Sequence, residues 1–154
     1  MLQVKEPKEL INYINYDLGY GDWILVDQKM INEFASLSGD FQWIHVDTRK
    51  AQQNMPEGKT IAHGLLTLCM SPSLAGEILK IEKLKQSINY GIDKVRFTSP
   101  VKVGSKIRMN STIEEVNERD GGVILLKIKR VVEIEKEVRP AMIAHTISLL
   151  YPVT

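Results

Sequence analysis

The amino-acid sequence predicts an α+β domain in which an antiparallel sheet covers a buried helix. In the first half of the chain, apolar residues recur at helical spacing. Near the middle, residues 61–70 are apolar on nearly every side, which is typical of a buried helix. The second half consists of β-rich runs separated by short turns. The length of 154 residues fits one domain over residues 1–154.

The first predicted elements have clear boundaries. A β-rich run at residues 23–26 ends at Asp27, whose side chain is suited to cap the next helix. That helix has apolar residues at helical spacing: Met30, Ile31, Phe34 and Leu37. Gly39 is a suitable end for it. Asp47 is then expected to cap a short helix over residues 48–53.

The central apolar segment is predicted to form the buried helix. Only His63 and Thr67 interrupt the apolar residues between positions 61 and 70. Pro72 should kink this helix, or separate from it a more amphipathic second part over residues 74–81.

About four strands are expected to follow. The stretch from Ser87 to Val116 alternates in places and is broken by Pro100 and Gly104, and "RDGG" is a hairpin signal because Asp-Gly tolerates positive φ. Two further β-rich runs are "VILLKIKRVVEIE" and "AMIAHTISLLYPV". The alternation slips at residues 129–132, which predicts a bulge or a strand buried on both faces.

The composition excludes several classes of protein. Hydrophobic residues make up 44% of the chain and charged residues 25%, as in globular proteins. The net charge of +1 lacks the basic excess of a nucleic-acid binder. No stretch approaches the length of a membrane span, and the N-terminus lacks the apolar run of a signal peptide. Cys69 is the only cysteine, so no internal disulfide can form. We therefore expect a cytoplasmic protein that binds neither nucleic acid nor membranes.

Two short segments together match a known signature: Gly39-Asp40 followed by Ile44-His45, and then Ala62-His63-Gly64. This combination resembles the MaoC-like hydratase/dehydratase family, also called the (R)-specific enoyl-CoA hydratases. Gln42-Trp43 stands where the family commonly has Asn-Pro; with the later "NYGIDKVRF" it is similar to the branch related to nodulation protein N. The resemblance spans roughly residues 21–151.

The resemblance implies a hot-dog fold, in which a curved antiparallel sheet wraps a long central helix. It also implies a homodimer with active sites near the subunit interface. The implied substrate is an acyl-CoA, with coenzyme A as part of the substrate and no further cofactor.

Asp40 and His45 are the predicted catalytic pair. Hydration of an enoyl thioester needs a water activated at the β-carbon and a proton delivered to the α-carbon, and a carboxylate and an imidazole around one water can do both. A loop between two helices would let both side chains face one cleft. The resemblance implies that the backbone N–H of Gly64 stabilises the thioester oxygen. The sequence leaves open how Asp40 and His45 divide the proton transfers.

Three further residues are substrate-binding candidates. Trp43 either packs the loop or lines the acyl pocket. His63 either shapes the helix start, bonded to a neighbouring backbone group, or takes part directly. Arg96 is the best candidate for a phosphate of coenzyme A, in a segment where Lys94, Lys102 and Lys106 are alternatives. For each of these cations a solvated strand edge is the simpler interpretation.

Other polar residues are interpreted as structural. Asp47 is a helix cap, His145 a strand residue and Cys69 a small core residue. The three histidines lack metal-ligand spacing with cysteine or acidic partners, so no metal is expected.

The leading functional hypothesis is reversible addition of water to a trans-2-enoyl-CoA, giving an (R)-3-hydroxyacyl-CoA. A hot-dog thioesterase is the second hypothesis, but "HGLLTLCM" lacks an acidic residue in the first turns of the central helix, and Glu77 comes late. The third is a module that binds an acyl thioester without turning it over. The Asp40 and His45 pair argues against this module, whereas Gln42-Trp43 keeps it open.

Overall fold

A computed structural model describes residues 1–153, and no helix in that range is long and apolar enough to cross a membrane. The strands are β1 (Leu2–Val4), β2 (Asp17–Tyr20), β3 (Ile24–Leu25), β4 (Leu79–Ile81), β5 (Leu84–Phe97), β6 (Lys106–Glu118), β7 (Ile124–Ile134) and β8 (Met142–Pro152). The α-helices are α1 (Gln28–Ser38), α2 (Trp43–Val46), α3 (Thr48–Asn54), α4 (Gly64–Cys69) and α5 (Ser71–Ala75). Short 3₁₀ segments lie at Pro7–Tyr13, Pro56–Gly58 and Asp120–Gly122.

An antiparallel six-stranded sheet forms the framework, in the order β2-β6-β7-β8-β5, with β3 also paired to β6. A separate two-stranded parallel sheet joins β1 to β4. Helices and an antiparallel sheet therefore share one core, as the α+β prediction requires. Within residues 1–153, β5 pairs only with β8 and is therefore an edge strand.

One face of the sheet carries two separate hydrophobic clusters. The first cluster packs α1 and α4 against the sheet through residues such as Ile31, Leu66 and Met142. The second packs the N-terminal segment against the sheet through residues such as Leu10 and Ile113. Each fully buried side chain of this size contributes roughly 1.5–3 kcal/mol relative to exposure, so both clusters contribute to folding.

The boundaries of α1 agree with the sequence, but one of its apolar residues does not face the core. The Asp27 carboxylate accepts a hydrogen bond from the backbone N–H of Met30 at 2.8 Å, and Gly39 ends the helix at φ 78°. Ile31 and Ala35 are fully buried, whereas Leu37 is 86% exposed. The buried stripe follows i and i+4 from Ile31, which places Leu37 on the opposite side of the helix.

The central helix is shorter than predicted. Residues 61–63 are extended rather than helical, because Ile61 bridges Lys102 and the Ala62 N–H donates to the Val101 carbonyl at 2.7 Å. The helix begins at Gly64 and breaks at Met70, so α4 and α5 replace the long helix that the resemblance implied.

The predicted amphipathic helix over residues 74–81 is wrong. Pro72 lies in the first turn of α5, where its missing N–H needs no partner. Gly76, with φ 55°, then ends α5, and β4 follows.

The hairpin signal is confirmed and the bulge lies elsewhere. Gly121 and Gly122 both adopt φ 73° in the turn between β6 and β7. The register between β6 and β7 shifts between Ile113 and Glu115. β7 itself pairs with β8 without interruption from Ile124 to Val132, so residues 129–132 contain no bulge. The slip in alternation has another cause: Arg130 occupies a core-facing position of β7.

Candidate active site

Asp40 and His45 lie on either side of a tight turn between α1 and α2. The Asp40 carboxylate accepts the backbone N–H of Gln42 at 3.3 Å, and Ser38 Oγ accepts the Asp40 N–H at 3.3 Å. The His45 N–H donates to the Gln42 carbonyl at 3.0 Å, and His45 lies within the one-turn helix α2. The expectation that both residues belong to a loop is therefore wrong for His45.

The ring of His45 is buried and its tautomer is determined by a backbone carbonyl. His45 is 6% exposed, and its Nδ1 lies 2.7 Å from the carbonyl oxygen of Ile61. Because a carbonyl oxygen only accepts, Nδ1 carries the proton and Nε2 keeps a free lone pair. His45 Nε2 has no hydrogen-bond partner among the described residues. Because His63 Nδ1 is the only buried side-chain nitrogen or oxygen there without a partner, His45 Nε2 must be accessible to solvent.

Gln28 holds α2 in place, a role that sequence reasoning missed. Its amide nitrogen donates to the His45 carbonyl at 2.8 Å, and its amide oxygen accepts from the Thr60 hydroxyl at 2.6 Å. Gln28 thus links the start of α1, the helix α2 that contains His45, and the extended segment before α4. Its only sequence signal is the position directly after the cap Asp27.

His63 connects the two halves of the motif. Its Nε2 donates to the Asp40 carbonyl at 2.9 Å, and its ring stacks on the His45 ring with centroids 3.8 Å apart and planes 26° apart. Bonding to a neighbouring backbone group was one of its two expected roles. Nδ1 of His63 is buried without a partner, so the ring is held by one hydrogen bond and by stacking.

The structure brings Asp40, His45 and His63 together. One potential ligand atom from each lies within 4.8 Å of the others. This convergence was not visible in the spacing from which we expected no metal. Each imidazole already uses one nitrogen on a backbone carbonyl, which leaves one nitrogen per ring. The absence of a metal therefore stays a prediction, which a chelator can test.

A cavity of about 320 Å³ opens beside His45. Gly64, the first residue of α4, also lines it, together with Thr67 and Phe97. The N–H of a residue in the first turn of a helix has no intrahelical partner. A Cβ atom at Gly64 would lie 2.7 Å from the Phe97 ring, so glycine is required there for packing as well. No acidic residue is among those that line this cavity.

The remaining substrate-binding candidates lie outside this cavity lining. Trp43 is half-buried in α2, with the Lys50 ammonium 4.8 Å from its ring centroid, which agrees with the packing interpretation. Arg96 is exposed on β5 and donates to the carbonyl of Val95 at 2.8 Å. It directly precedes Phe97, which lines the cavity. The substrate roles of Trp43 and Arg96 stay predictions.

The residues interpreted as structural are mostly confirmed as such. Asp47 accepts the Lys50 N–H at 2.9 Å and caps α3. His145 pairs through Nδ1 with the carboxylate of Glu114, the extra residue of the β6 bulge. The interpretation of Cys69 as a core residue is wrong, because Cys69 is exposed.

Comparison with known proteins places these features in a family. Residues 12–136 match the model of the MaoC-like domain. The 3-hydroxyacyl-thioester dehydratase Z of Mycobacterium tuberculosis is 40% identical over 130 residues, which cover 84% of this chain and 85% of that protein. Nodulation protein N of Rhizobium leguminosarum is 40% identical over 138 residues, with 89% and 86% covered.

Solved structures confirm the hot-dog fold. A monoamine oxidase regulatory protein from Archaeoglobus fulgius superposes with a TM-score of 0.80 at 22% identity, over 99% of this chain and 97% of that one. The (R)-hydratase from A. caviae superposes with a TM-score of 0.67 at 21% identity, over 84% and 93%. The sequence matches and the shared fold agree, and the chain therefore belongs to the MaoC-like dehydratase family, in the branch that contains nodulation protein N.

Proposed function

We propose that the protein is a hydro-lyase that reversibly adds water to a trans-2-enoyl-CoA and gives an (R)-3-hydroxyacyl-CoA. The observation that carries this proposal is that the Asp40 carboxylate lies close to His45, while His45 and Gly64 line the same cavity. The family and the 40% identity to a 3-hydroxyacyl-thioester dehydratase support the same class of reaction.

His45 is arranged to accept a proton. Its Nδ1–H is held by the Ile61 carbonyl, so the lone pair on Nε2 is available to a water in the cavity. As the proton leaves the water, its oxygen forms a bond to the β-carbon of the enoyl group. The Asp40 carboxylate is close enough to hydrogen-bond the same water. The proton that His45 accepts is returned to the α-carbon, either by His45 itself or through Asp40.

The thioester oxygen gains negative charge when the β-carbon is attacked. In this proposal the backbone N–H of Gly64 donates a hydrogen bond to that oxygen. α4 has only six residues, so the N–H itself rather than a large helix dipole provides the stabilisation. Protonation of the α-carbon then removes the charge, and one water has been added across the double bond.

Thioester hydrolysis is less well supported. Hot-dog thioesterases were expected to use a carboxylate on or near the central helix, and α4 and α5 contain none. Asp40 lies at the turn before α2 instead. A binding module without turnover would not need a proton acceptor held in a defined tautomer beside the cavity.

We also propose that two copies associate along β5. This strand has 14 residues and an unpaired edge, and Ile88, Tyr90 and Ile92 are exposed on it. A second copy would pair with that edge and cover these side chains. Phe97 at the end of β5 lines the catalytic cavity, so such a dimer would place both cavities near the interface.

A spectrophotometric assay with crotonyl-CoA separates the three functions. Hydration removes the conjugated enoyl-thioester band without releasing a thiol. Thioesterase action releases free coenzyme A, and a pure binding module leaves both signals unchanged. Protein dialysed against a chelator should hydrate at the same rate, because we propose no metal and no cofactor beyond the coenzyme A of the substrate. Loss of the band only after metal is restored would contradict that part of the proposal.

A further inference from the structure

A second and larger cavity, of about 630 Å³, has a charged floor. Its lining includes Leu68 and Cys69 of α4, and Arg130 of β7. Gly64 and Thr67 of the same helix line the catalytic cavity. The midpoint of Gly64 and Thr67 and the midpoint of Leu68 and Cys69 lie about 4.5 Å apart along the helix axis. The second cavity therefore lies within about one helical turn of the catalytic one.

Arg130 occupies a position that the strand pattern reserves for an apolar residue. Side chains at alternate positions of a strand share a face, and the neighbours of Arg130 on its face are Ile128 and Val132. These two residues are 6% and 0% exposed. The guanidinium is thus directed onto the core face of the sheet, under the helices.

Arg130 belongs to a row of polar residues that separates the two hydrophobic clusters. Ser111 pairs with Arg130 across β6 and β7, and Ser148 pairs with Asn89 across β8 and β5. Thr146 lies on the same face of β8, two positions from Ser148. Along each of β6, β7 and β8, the residues on one side of this row belong to the first hydrophobic cluster, and those on the other side belong to the second.

The guanidinium has polar partners but no counter-ion. Arg130 Nη1 donates to Ser111 Oγ at 2.7 Å, and Nε donates to Thr146 Oγ1 at 3.3 Å. No ion pair to Arg130 occurs among residues 1–153, and Nη2 has no hydrogen-bond partner there. Nη2 is accessible to solvent, because the only buried side-chain nitrogen or oxygen without a partner in that range is His63 Nδ1.

Such a charge is costly unless it binds something. Arg130 is half-buried, and a half-buried cation without an anion loses hydration that neutral hydroxyls only partly replace. Burial lowers the pKa of the Arg130 guanidinium to about 10, so it remains charged at neutral pH. An apolar residue would have joined the two hydrophobic clusters at lower cost.

We propose that Arg130 binds a carboxylate at the distal end of the substrate's acyl chain, which makes ω-carboxyacyl thioesters the preferred substrate class. This inference rests on the proposed hydratase function. The thioester carbonyl would lie at Gly64, the chain would pass along α4, and its terminal carboxylate would accept hydrogen bonds from Nη2 and from the hydroxyls of the polar row. A planar guanidinium suits this recognition because it can donate two parallel hydrogen bonds to a carboxylate.

Binding of non-reactive ligands tests the inference independently of turnover. Saturated mono-CoA thioesters of dicarboxylic acids are compared by calorimetry with fatty acyl-CoA of equal chain length, in which the acyl chain has no charge. The wild-type protein should bind the ω-carboxy series roughly tenfold to a hundredfold more tightly, and Arg130→Met should abolish that preference. Lys127→Met is the matched control, because Lys127 lies on the opposite face of β7 and pairs with Asp93.

Turnover and stability complete the test. The control Lys127→Met should retain the wild-type rate with crotonyl-CoA. Arg130→Met should melt no earlier than the wild type, because an apolar side chain of similar length fills the same site. Equal binding of both series by the wild type would overturn the inference, and so would an equal loss of both series in Arg130→Met. A protein that binds ω-carboxyacyl-CoA in an Arg130-dependent manner but does not hydrate crotonyl-CoA would overturn the hydratase function instead.

Free adipate distinguishes a substrate carboxylate from that of a separate effector. If the carboxylate belongs to the acyl chain, millimolar adipate should inhibit crotonyl-CoA hydration only weakly, and the preference among thioesters should remain. Arg130-dependent binding of adipate without any preference among thioesters would assign the site to an effector and overturn the substrate inference.

Discussion

The two cavities along α4 are built from different kinds of structure. The polar groups of the proposed catalytic cavity come from short helices and connecting segments, and backbone carbonyls hold the rings of His45 and of its neighbour His63. Most polar groups of the larger cavity project from long strands, and within residues 1–153 Arg130 donates hydrogen bonds only to hydroxyls. One cavity therefore has imidazole rings held in defined orientations beside it, whereas the other has an unneutralised charge that suits binding.

This difference explains which site the sequence could reveal. The proposed catalytic residues lie close together along the chain, between positions 39 and 64, so their combination is visible as a motif. The polar row takes one residue each from β5, β6 and β7 and two from β8. The lengths of the turns between these strands do not reveal which residues pair. Strand pairing brings these residues together, and one sequence without a register does not report it.

The largest expected effect concerns the catalytic pair. Asp40→Asn and His45→Gln should each lower the rate of crotonyl-CoA hydration by roughly 10²- to 10⁴-fold, as expected for a lost acid–base group. The double variant should be little slower than the slower single variant, because the two residues act as one unit. Initial rates of loss of the enoyl-thioester absorbance measure all three variants.

The same variants should differ in stability. His45→Gln removes a buried ring that bonds to Ile61 and stacks on His63, so it should cost about 1–3 kcal/mol in the free energy of unfolding. Asp40 is only half-buried, and Asp40→Asn should change stability little. His145→Gln, far along the chain in β8, serves as the histidine control and should retain activity. Near-normal hydration by both single variants would identify the turn as purely structural.

The second prediction separates the backbone role of Gly64 from its packing role. Gly64→Ala places a Cβ against the Phe97 ring, so its loss of activity alone would be ambiguous. In a Phe97→Ala background the ring is gone and the variant should fold normally. We still expect roughly 10²-fold lower activity from adding Gly64→Ala there, since the Cβ crowds the oxygen that the N–H must reach. Full activity of the double variant, relative to Phe97→Ala, would leave Gly64 with a packing role only.

Much of the fold was readable from local signals, and the exceptions have physical causes. Asp27, Gly39, Asp47 and the Asp-Gly turn act within a few residues, and each prediction at these positions is confirmed. The helix over residues 61–70 failed at its start because a tertiary bridge from Ile61 to Lys102 overrides the apolar pattern. The ring stack of His45 and His63 could not be predicted, since it depends on how two separate segments meet.

The third prediction addresses β5, the strand that contributes to both cavities. Phe97 lines the catalytic cavity, and several residues of β5 between Ser87 and Ile92 line the larger one. Loss of pairing at this edge should therefore weaken substrate binding at both cavities. Ile92→Lys adds a charge to the exposed edge and should shift the protein towards monomer in sedimentation experiments at micromolar concentration. Hydration should fall with the fraction of dimer. Leu37→Lys introduces the same charge at an exposed leucine of α1. It should change neither the sedimentation behaviour nor the rate of hydration. A wild-type protein that sediments as a monomer would contradict the proposed association.

The smallest expected effect is at Arg96, which belongs to neither cavity lining. If its exposed guanidinium contacts a phosphate of coenzyme A, Arg96→Gln should raise KM for crotonyl-CoA by roughly twofold to fivefold with kcat unchanged, the range of an exposed ionic contact. Added salt should reduce the difference between variant and wild type, because exposed charges are screened. Crotonyl-pantetheine lacks the nucleotide phosphates, so the variant and the wild type should hydrate it with the same KM. Arg139→Gln, an exposed change in the turn before β8, is the matched control. An Arg96→Gln defect that persists with crotonyl-pantetheine would place the effect in the strand edge itself rather than in recognition of the phosphate.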